Sequence, residues 1–330
     1  MTNAVAGNGV VVFDRMRDGS LKAGPTISTG GLGTGAGLGS QGAIALSDSH
    51  RWLLVANAGS NDVTVFNVDD DRLTKTGKFP SGGATPISIT VHGRLVYVLN
   101  AGSPNNISGF FLGFQGTLTP ISNSTRALSA AATGPAQVQF SPDGDMLVVT
   151  EKATNRIDVF NVGPSGVPGA LVSNASHGMT PFGFAFGRGN QILVSEAFGG
   201  AASASAVSSY IVRDNGTLML ETGSAATHQT AACWVVVTPY GRFAYTTNTG
   251  SGSVTGFRVG VHGELSGLNA DGRTGLTPAG PIDASFSNGG QFLYVLTSTG
   301  ISEFRVDPDG GLWSIGLVPV PFGSVGLAAQ

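Results

Sequence analysis

Two glutamates end apolar runs of the same length: Met146 to Glu151 reads Met-Leu-Val-Val-Thr-Glu, and Gln191 to Glu196 reads Gln-Ile-Leu-Val-Ser-Glu. A carboxylate so placed can activate water to open an ester ring if burial lifts its proton affinity towards neutrality. Lys152 and Arg156 follow Glu151 closely. Either could polarise a carbonyl. Either could equally form an ion pair with Glu151, and simple solvation is the third alternative. His177 and His228 could serve as bases, but their spacing is too wide for a metal motif. Phe182 and Trp234 could form an apolar floor for a ligand or plug a channel. Cys233, the single cysteine, reads as a buried inert thiol. Expected catalytic residues are therefore Glu196, Glu151 and Arg156. Expected ligand contacts are Lys152, Gln137, His177, Phe182, His228, Trp234 and Asp283, with no metal and no cofactor.

Such scattered residues can meet only if a repeated framework collects them. A Val or Ile followed three positions later by Phe or Tyr occurs at Val10/Phe13, Val63/Phe66, Ile107/Phe110, Ile157/Phe160, Val207/Tyr210, Val254/Phe257 and Ile301/Phe304. Seven copies at near-even spacing are a repeat. An apolar strand precedes most copies, as in Leu95 to Asn100. Before it comes a turn such as Ser141-Pro142-Asp143-Gly144, and before that a short apolar strand. A Gly turn after the aromatic leads to a fourth strand. Helical periodicity is absent. Four short strands per unit are the signature of a propeller blade, whose apolar faces are buried only against neighbouring blades.

The expected fold is thus all-β: a seven-bladed β-propeller of four-stranded antiparallel blades, one domain over 1–330. The first copy lacks an innermost strand, and Ser324 to Ala329 resembles one. Blade seven is therefore expected to be shared between about 1–30 and 323–330, closing the ring by pairing the N- and C-terminal strands. In such a blade the loop before the first strand and the turn between the second and third share one rim. That rim, around a central funnel, is where the candidate residues are expected.

Composition narrows the function. The net charge is −3 and the 17 basic residues are scattered, which excludes a nucleic-acid partner. No apolar run is long enough for a membrane-spanning helix. Only 11 % of residues are charged and 51 are glycine, a Ser/Thr/Gly-rich surface that suggests an extracellular or periplasmic location, with the cytoplasm as the alternative. Oligomeric state is left open. Gly37 to Gly42 matches a dinucleotide fingerprint by letters, but no helix follows to meet a phosphate.

The segments Ser141 to Thr150 and Asn190 to Glu196 resemble the lactonase family of seven-bladed propellers, which includes 6-phosphogluconolactonases and carboxymuconate-lactonizing enzymes. The resemblance implies a site built from His and Arg on innermost strands and a Glu ending a second strand. Glu196 matches the Glu position and Arg156 an Arg position. Elsewhere the chain departs from the pattern. Phe182 and Gly183 stand where the family has Arg and His, Ile282-Asp283 follows Pro281 without either, and Ala136 occupies a His position beside Gln137. A basic cluster for a phosphate or an oxyanion is largely gone. The expected activity is opening of a neutral lactone or similar cyclic ester, a small-molecule ligand at the funnel, and not of a phosphosugar. The alternative is a binding or scaffold propeller that has lost the chemistry.

Overall fold

The computed structural model describes residues 1–69, 72–278 and 280–330. Among them the regular structure is β-strand, apart from one 3-10 turn at Phe198–Gly200. No helix there is long and apolar enough to cross a membrane. Every sheet is antiparallel and follows chain order.

Two compact units divide the chain. The first, built mainly from residues 23–173, holds three sheets. Their strands are Ile44–Leu46, Trp52–Asn57, Asp62–Asp69 and Arg72–Pro80; then Pro86–His92, Leu95–Asn100, Asn106–Leu112 and Leu118–Pro120; then Pro135–Phe140, Met146–Glu151, Arg156–Val162 and Pro168–Ala175. The second unit, mainly residues 174–322, holds three more. These are Pro181–Phe186, Gln191–Glu196, Ala206–Val212 and Leu218–Ala226; then Ala232–Val237, Phe243–Asn248, Ser253–Val259 and Leu265–Gly267; then Pro281–Phe286, Phe292–Thr297, Gly300–Val306 and Leu312–Pro319.

The repeated aromatic lies in the third strand of each sheet. Phe66, Phe160, Phe257 and Phe304 are at most 1 % exposed. Phe160 packs with Leu99 and Ile107 of the preceding sheet as well as Leu147 and Val149 of its own. The repeat therefore encodes contact between neighbouring sheets, because an alternating strand has one apolar row per face and each face needs a cover.

A second repeated device was not anticipated. Tyr97, Tyr245 and Tyr294 each occupy the third position of a second strand, and each is buried. Tyr97 Oη donates to the Gly166 carbonyl at 2.5 Å, Tyr245 Oη to Gly310 at 2.7 Å and Tyr294 Oη to Gly19 at 2.8 Å. Gly166 and Gly310 sit at left-handed φ values of 73° and 97° in outer hairpin turns of the next sheet. A phenol thus bolts one sheet to the outer turn of the next, and burial drives its proton affinity up.

The strand count departs from expectation. Among the described residues there are six sheets of at least four strands, not seven, and one two-stranded sheet of Gly9–Arg15 with Leu21–Ser28. The two ends of the chain do meet. Met1 N donates to the Val325 carbonyl at 2.9 Å, and Val325 N to the Met1 carbonyl at 2.9 Å. Left-handed backbone at Asn3 (φ 50°), Gly323 (φ 82°) and Gly326 (φ 73°) stops this pairing from extending into a regular ladder.

Candidate functional site

In five of the six larger sheets the last residue of the second strand faces the first residue of the third, as in Asn57 with Asp62, Glu151 with Arg156 and Asn248 with Ser253. Its side chain turns towards the third position of that third strand. Asn57 Nδ2 donates to Thr64 Oγ1 at 2.9 Å, and Asn248 Nδ2 to Thr255 Oγ1 at 2.9 Å. Asn57, Asn100, Glu151, Glu196 and Asn248 are all 0 % exposed. The position is a buried polar latch repeated through the fold, and the two glutamates are its charged versions.

Glu196 is held by three donors. Gly178 N reaches Oε1 at 2.9 Å, Ser208 Oγ reaches Oε1 at 2.5 Å and Ser224 Oγ reaches Oε2 at 2.6 Å. The carboxylate ties the loop entering its sheet, the third strand and the fourth strand together. A Cβ at Gly178 would fall 2.1 Å from Glu196 Oε2, so any larger residue there has to push the carboxylate aside.

Glu151 sits in a different network. The Ser129 backbone N–H donates to Oε1 at 3.0 Å, and the hydroxyls of Ser129 and Thr154 both donate to Oε2. Asp158, also buried, is its neighbour and hydrogen-bonds with it. Burial, then that hydrogen bond and the charge of Glu151, push the Asp158 carboxyl up to about 8, against the pull of Ser173 and the Ser129 N–H. Asp158 Oδ1 is buried and meets no hydrogen-bond partner. Asp158 therefore holds its proton well above the usual carboxylate range.

Of the two basic residues expected beside Glu151, Arg156 does not pair with it, and Lys152 reaches elsewhere with its ammonium. Arg156 is exposed although it lies opposite Glu151 in the ladder, and Lys152 Nζ donates to the Gly39 carbonyl. Among the described residues no ion pair joins Arg156 to a carboxylate.

The innermost strands carry the remaining candidates. Most begin with a register shift: between Pro86 and Ser88, Pro135 and Gln137, Pro181 and Phe184, Ala232 and Trp234, Pro281 and Asp283. Such a bulge re-aims one side chain. The residues at the bulges are Ile87, Ala136, Phe182-Gly183, Cys233 and Ile282, and none is charged. Phe182 and Trp234 stack at 5.0 Å with their planes tilted by 51°. Both are buried, as are Cys233 and Gln137, whose Nε2 donates to Gln139 Oε1 at 3.2 Å. Asp283, 2 % exposed, accepts from Ala284 N at 2.8 Å and Leu327 N at 3.0 Å. Burial pushes it up to about 7 despite those donors.

His177 and His228 are exposed. The His177 ring covers Gly223, and its backbone N donates to Tyr210 Oη at 2.8 Å. His228 holds a left-handed φ of 57°. No group of three His, Cys, Asp or Glu side chains among the described residues is arranged to hold a metal ion.

Asp158 and Ser129 were missed by reasoning from sequence. A signal existed for the first. The third position of the third strand reads Thr64, Ser108, Asp158, Ser208, Thr255 and Ser302, so Asp158 is the ionisable exception. Ser129 lies in an irregular loop and had none.

The raised acids set a pH dependence. Asp158 and Asp283 bind protons more tightly folded than unfolded, so between about 4 and 8 the native state holds more protons. Stability must therefore fall as pH rises through that window. We expect urea midpoints to decline from pH 5 to pH 8. Asp158→Asn should flatten the decline, and an unchanged slope in that variant would show that Asp158 is not the group responsible.

The model of the family described as Lactonase, 7-bladed beta-propeller, matches residues 6–131. Those residues carry the lactonase-family pattern. The structure resembles the periplasmic gluconolactonase of Pseudomonas aeruginosa (TM-score 0.77, 19 % identity, covering 96 % of this chain and 93 % of that one). It also resembles a protein from Lactobacillus plantarum (0.74, 16 %, 92 % and 90 %). A 6-phosphogluconolactonase candidate from Bacteroides uniformis is similar too (0.71, 18 %, 91 % and 90 %). No curated protein matches by sequence. At these identities the likeness establishes the fold, an all-β propeller with four-stranded antiparallel blades. The lactonase-family segment covers the two-stranded sheet and the first two four-stranded sheets, and ends in the Ser129 loop.

Proposed function

We propose that this lactonase-family propeller takes a neutral lactone or similar cyclic ester as its ligand and opens it by hydrolysis. One observation carries the choice of ligand. The bulged positions of the innermost strands are uncharged, with Phe182 and Trp234 stacked beside them, and a phosphate would need guanidinium, ammonium or imidazolium partners there. The fold likeness to a gluconolactonase supports the reaction class. We extend the proposal to the blade count: Ser324 to Leu327, Met1 to Asn3 and the two-stranded sheet together form the seventh blade. Export to an extracellular or periplasmic compartment is part of the same reading.

A second reading, binding without turnover, is favoured by Glu196, both of whose oxygens accept from protein donors. A pH-stat panel of neutral, carboxylated and phosphorylated lactones, run on wild type and Glu196→Gln, separates the two. The hydrolase reading expects turnover of neutral substrates only, in both proteins. Absence of turnover with every lactone between pH 5 and 9 would leave the binding reading. Preference for the phosphorylated lactones would overturn the ligand class.

A further inference from the structure

Ser129 combines exposure with a buried base. Residues Ser129 to Ala132 are exposed, and the Ser129 hydroxyl donates to Oε2 of fully buried Glu151. Behind Glu151 stands Asp158, whose Oδ2 also receives the Ser129 N–H at 3.2 Å. A hydroxyl on a carboxylate that a third group holds in place has the geometry of an activated nucleophile. Among the described residues the N–H groups of Ala130, Ala131 and Ala132 meet no acceptor in the protein. The donor of the residue after a nucleophile is where an oxyanion is commonly received. Ser208 and Ser224, which donate to Glu196, are buried and half-buried respectively, so that centre lacks the exposed hydroxyl.

We propose that Ser129 is the nucleophile of an acyl-transfer centre, with Glu151 as its base and Asp158 as the residue that positions Glu151. The proposal rests on the cyclic-ester reading and assigns its chemistry. Ser129 Oγ bonds to the lactone carbonyl carbon and its proton passes to Glu151 Oε2. The carbonyl oxygen becomes an oxyanion facing the Ala130 and Ala131 N–H groups. The ring C–O bond then breaks, and the departing ring oxygen takes the proton from Glu151, leaving the opened chain as an ester on Ser129. Water attacks that ester carbon and gives a proton to Glu151, which returns it to Ser129 Oγ as the new C–O bond replaces the old. The sum is lactone plus water to hydroxy acid. Asp158, whose Oδ2 shares the Ser129 N–H with Glu151 Oε1, fixes the position of Glu151 beneath the Ser129 hydroxyl. Lys152 Nζ donates to the Gly39 carbonyl, and Arg156 is exposed.

The test is covalent labelling of the whole chain with a fluorophosphonate ester, mapped by mass spectrometry, alongside the lactone panel. Wild type is expected to carry one adduct, on Ser129 within the tryptic peptide from Ala127 to Lys152. Ser129→Ala should lose it, and Glu151→Gln should label about 100-fold more slowly. Asp158→Asn retains a donor to Glu151. It should label at near wild-type rate at pH 7 and lose the change in rate that wild type shows as Asp158 deprotonates above about pH 8. That altered profile is what a merely structural Asp158 would not produce. No adduct on Ser129 in the wild-type protein would overturn the proposal whatever the variants do. Lactone opening at an undiminished rate by Ser129→Ala would also overturn it and leave the cyclic-ester reading standing. A labelled Ser129 without turnover of any lactone would support the nucleophile and sink the cyclic-ester substrate.

Discussion

Phe160→Ala is expected to cost about 3–5 kcal/mol of unfolding free energy, as full truncation of a buried phenylalanine does. Phe160 is 0 % exposed and touches both its own sheet and the one before. Its removal opens a cavity between two sheets that are held at fixed spacing by backbone ladders and by the Tyr97 bolt to Gly166. Neither sheet can easily collapse into the gap, which places the cost towards the top of the range. Phe13, the copy in the two-stranded sheet, is only half-buried, so Phe13→Ala should cost clearly less. Chemical denaturation midpoints at constant m-value measure both. A loss below about 1 kcal/mol for Phe160→Ala would mean that the repeated aromatic does not join neighbouring sheets.

Glu196→Ala is expected to destabilise the protein by on the order of 3 kcal/mol. The substitution leaves the buried Gly178 N–H and Ser208 hydroxyl, and the half-buried Ser224 hydroxyl, without their acceptor. Each stranded buried donor costs about 1–3 kcal/mol, partly relieved if water enters the vacated volume. Glu196→Gln keeps one acceptor oxygen and should lose about 1 kcal/mol. Gly178→Ala probes the same contact from the other side, because its Cβ would displace the carboxylate. A residue that works only as a base would behave in the opposite way, with activity lost and the denaturation midpoint unmoved. That outcome for Glu196→Ala would return Glu196 to the chemistry.

These two residues also mark how far the sequence could be read. The Val/Ile-x-x-aromatic pattern located every third strand, because burial of one strand face against a neighbouring sheet imposes a residue type at a fixed offset. The turn residues placed the hairpins for a similarly local reason: positions such as Gly144 (φ 81°) and Gly241 (φ 63°) need left-handed backbone. The equivalence of Glu151, Glu196 and the latch asparagines was visible in the spacing as well. Their function was not. A glutamate ending a strand reads the same whether it meets water or three protein donors, and the donors to Glu196 come from positions 178, 208 and 224.

The tyrosine bolts were hidden for the same reason, since each joins residues more than sixty apart in sequence. The chain ends show another limit. Ser324 to Leu327 has the composition of an inner strand, yet with left-handed residues on both sides of the pairing it forms no regular strand, and Met1 meets Val325 and the Gly326 carbonyl. Arg156 shows how register and contact differ: it lies opposite Glu151, but its side chain projects to solvent while the loop hydroxyl of Ser129 takes the carboxylate oxygen. Local patterning therefore determined the strands, turns and core of this protein, because those follow from short-range sterics and burial. Only the tertiary structure decided which polar groups meet, because a hydrogen bond is set within a few tenths of an ångström by chain segments that the sequence keeps far apart.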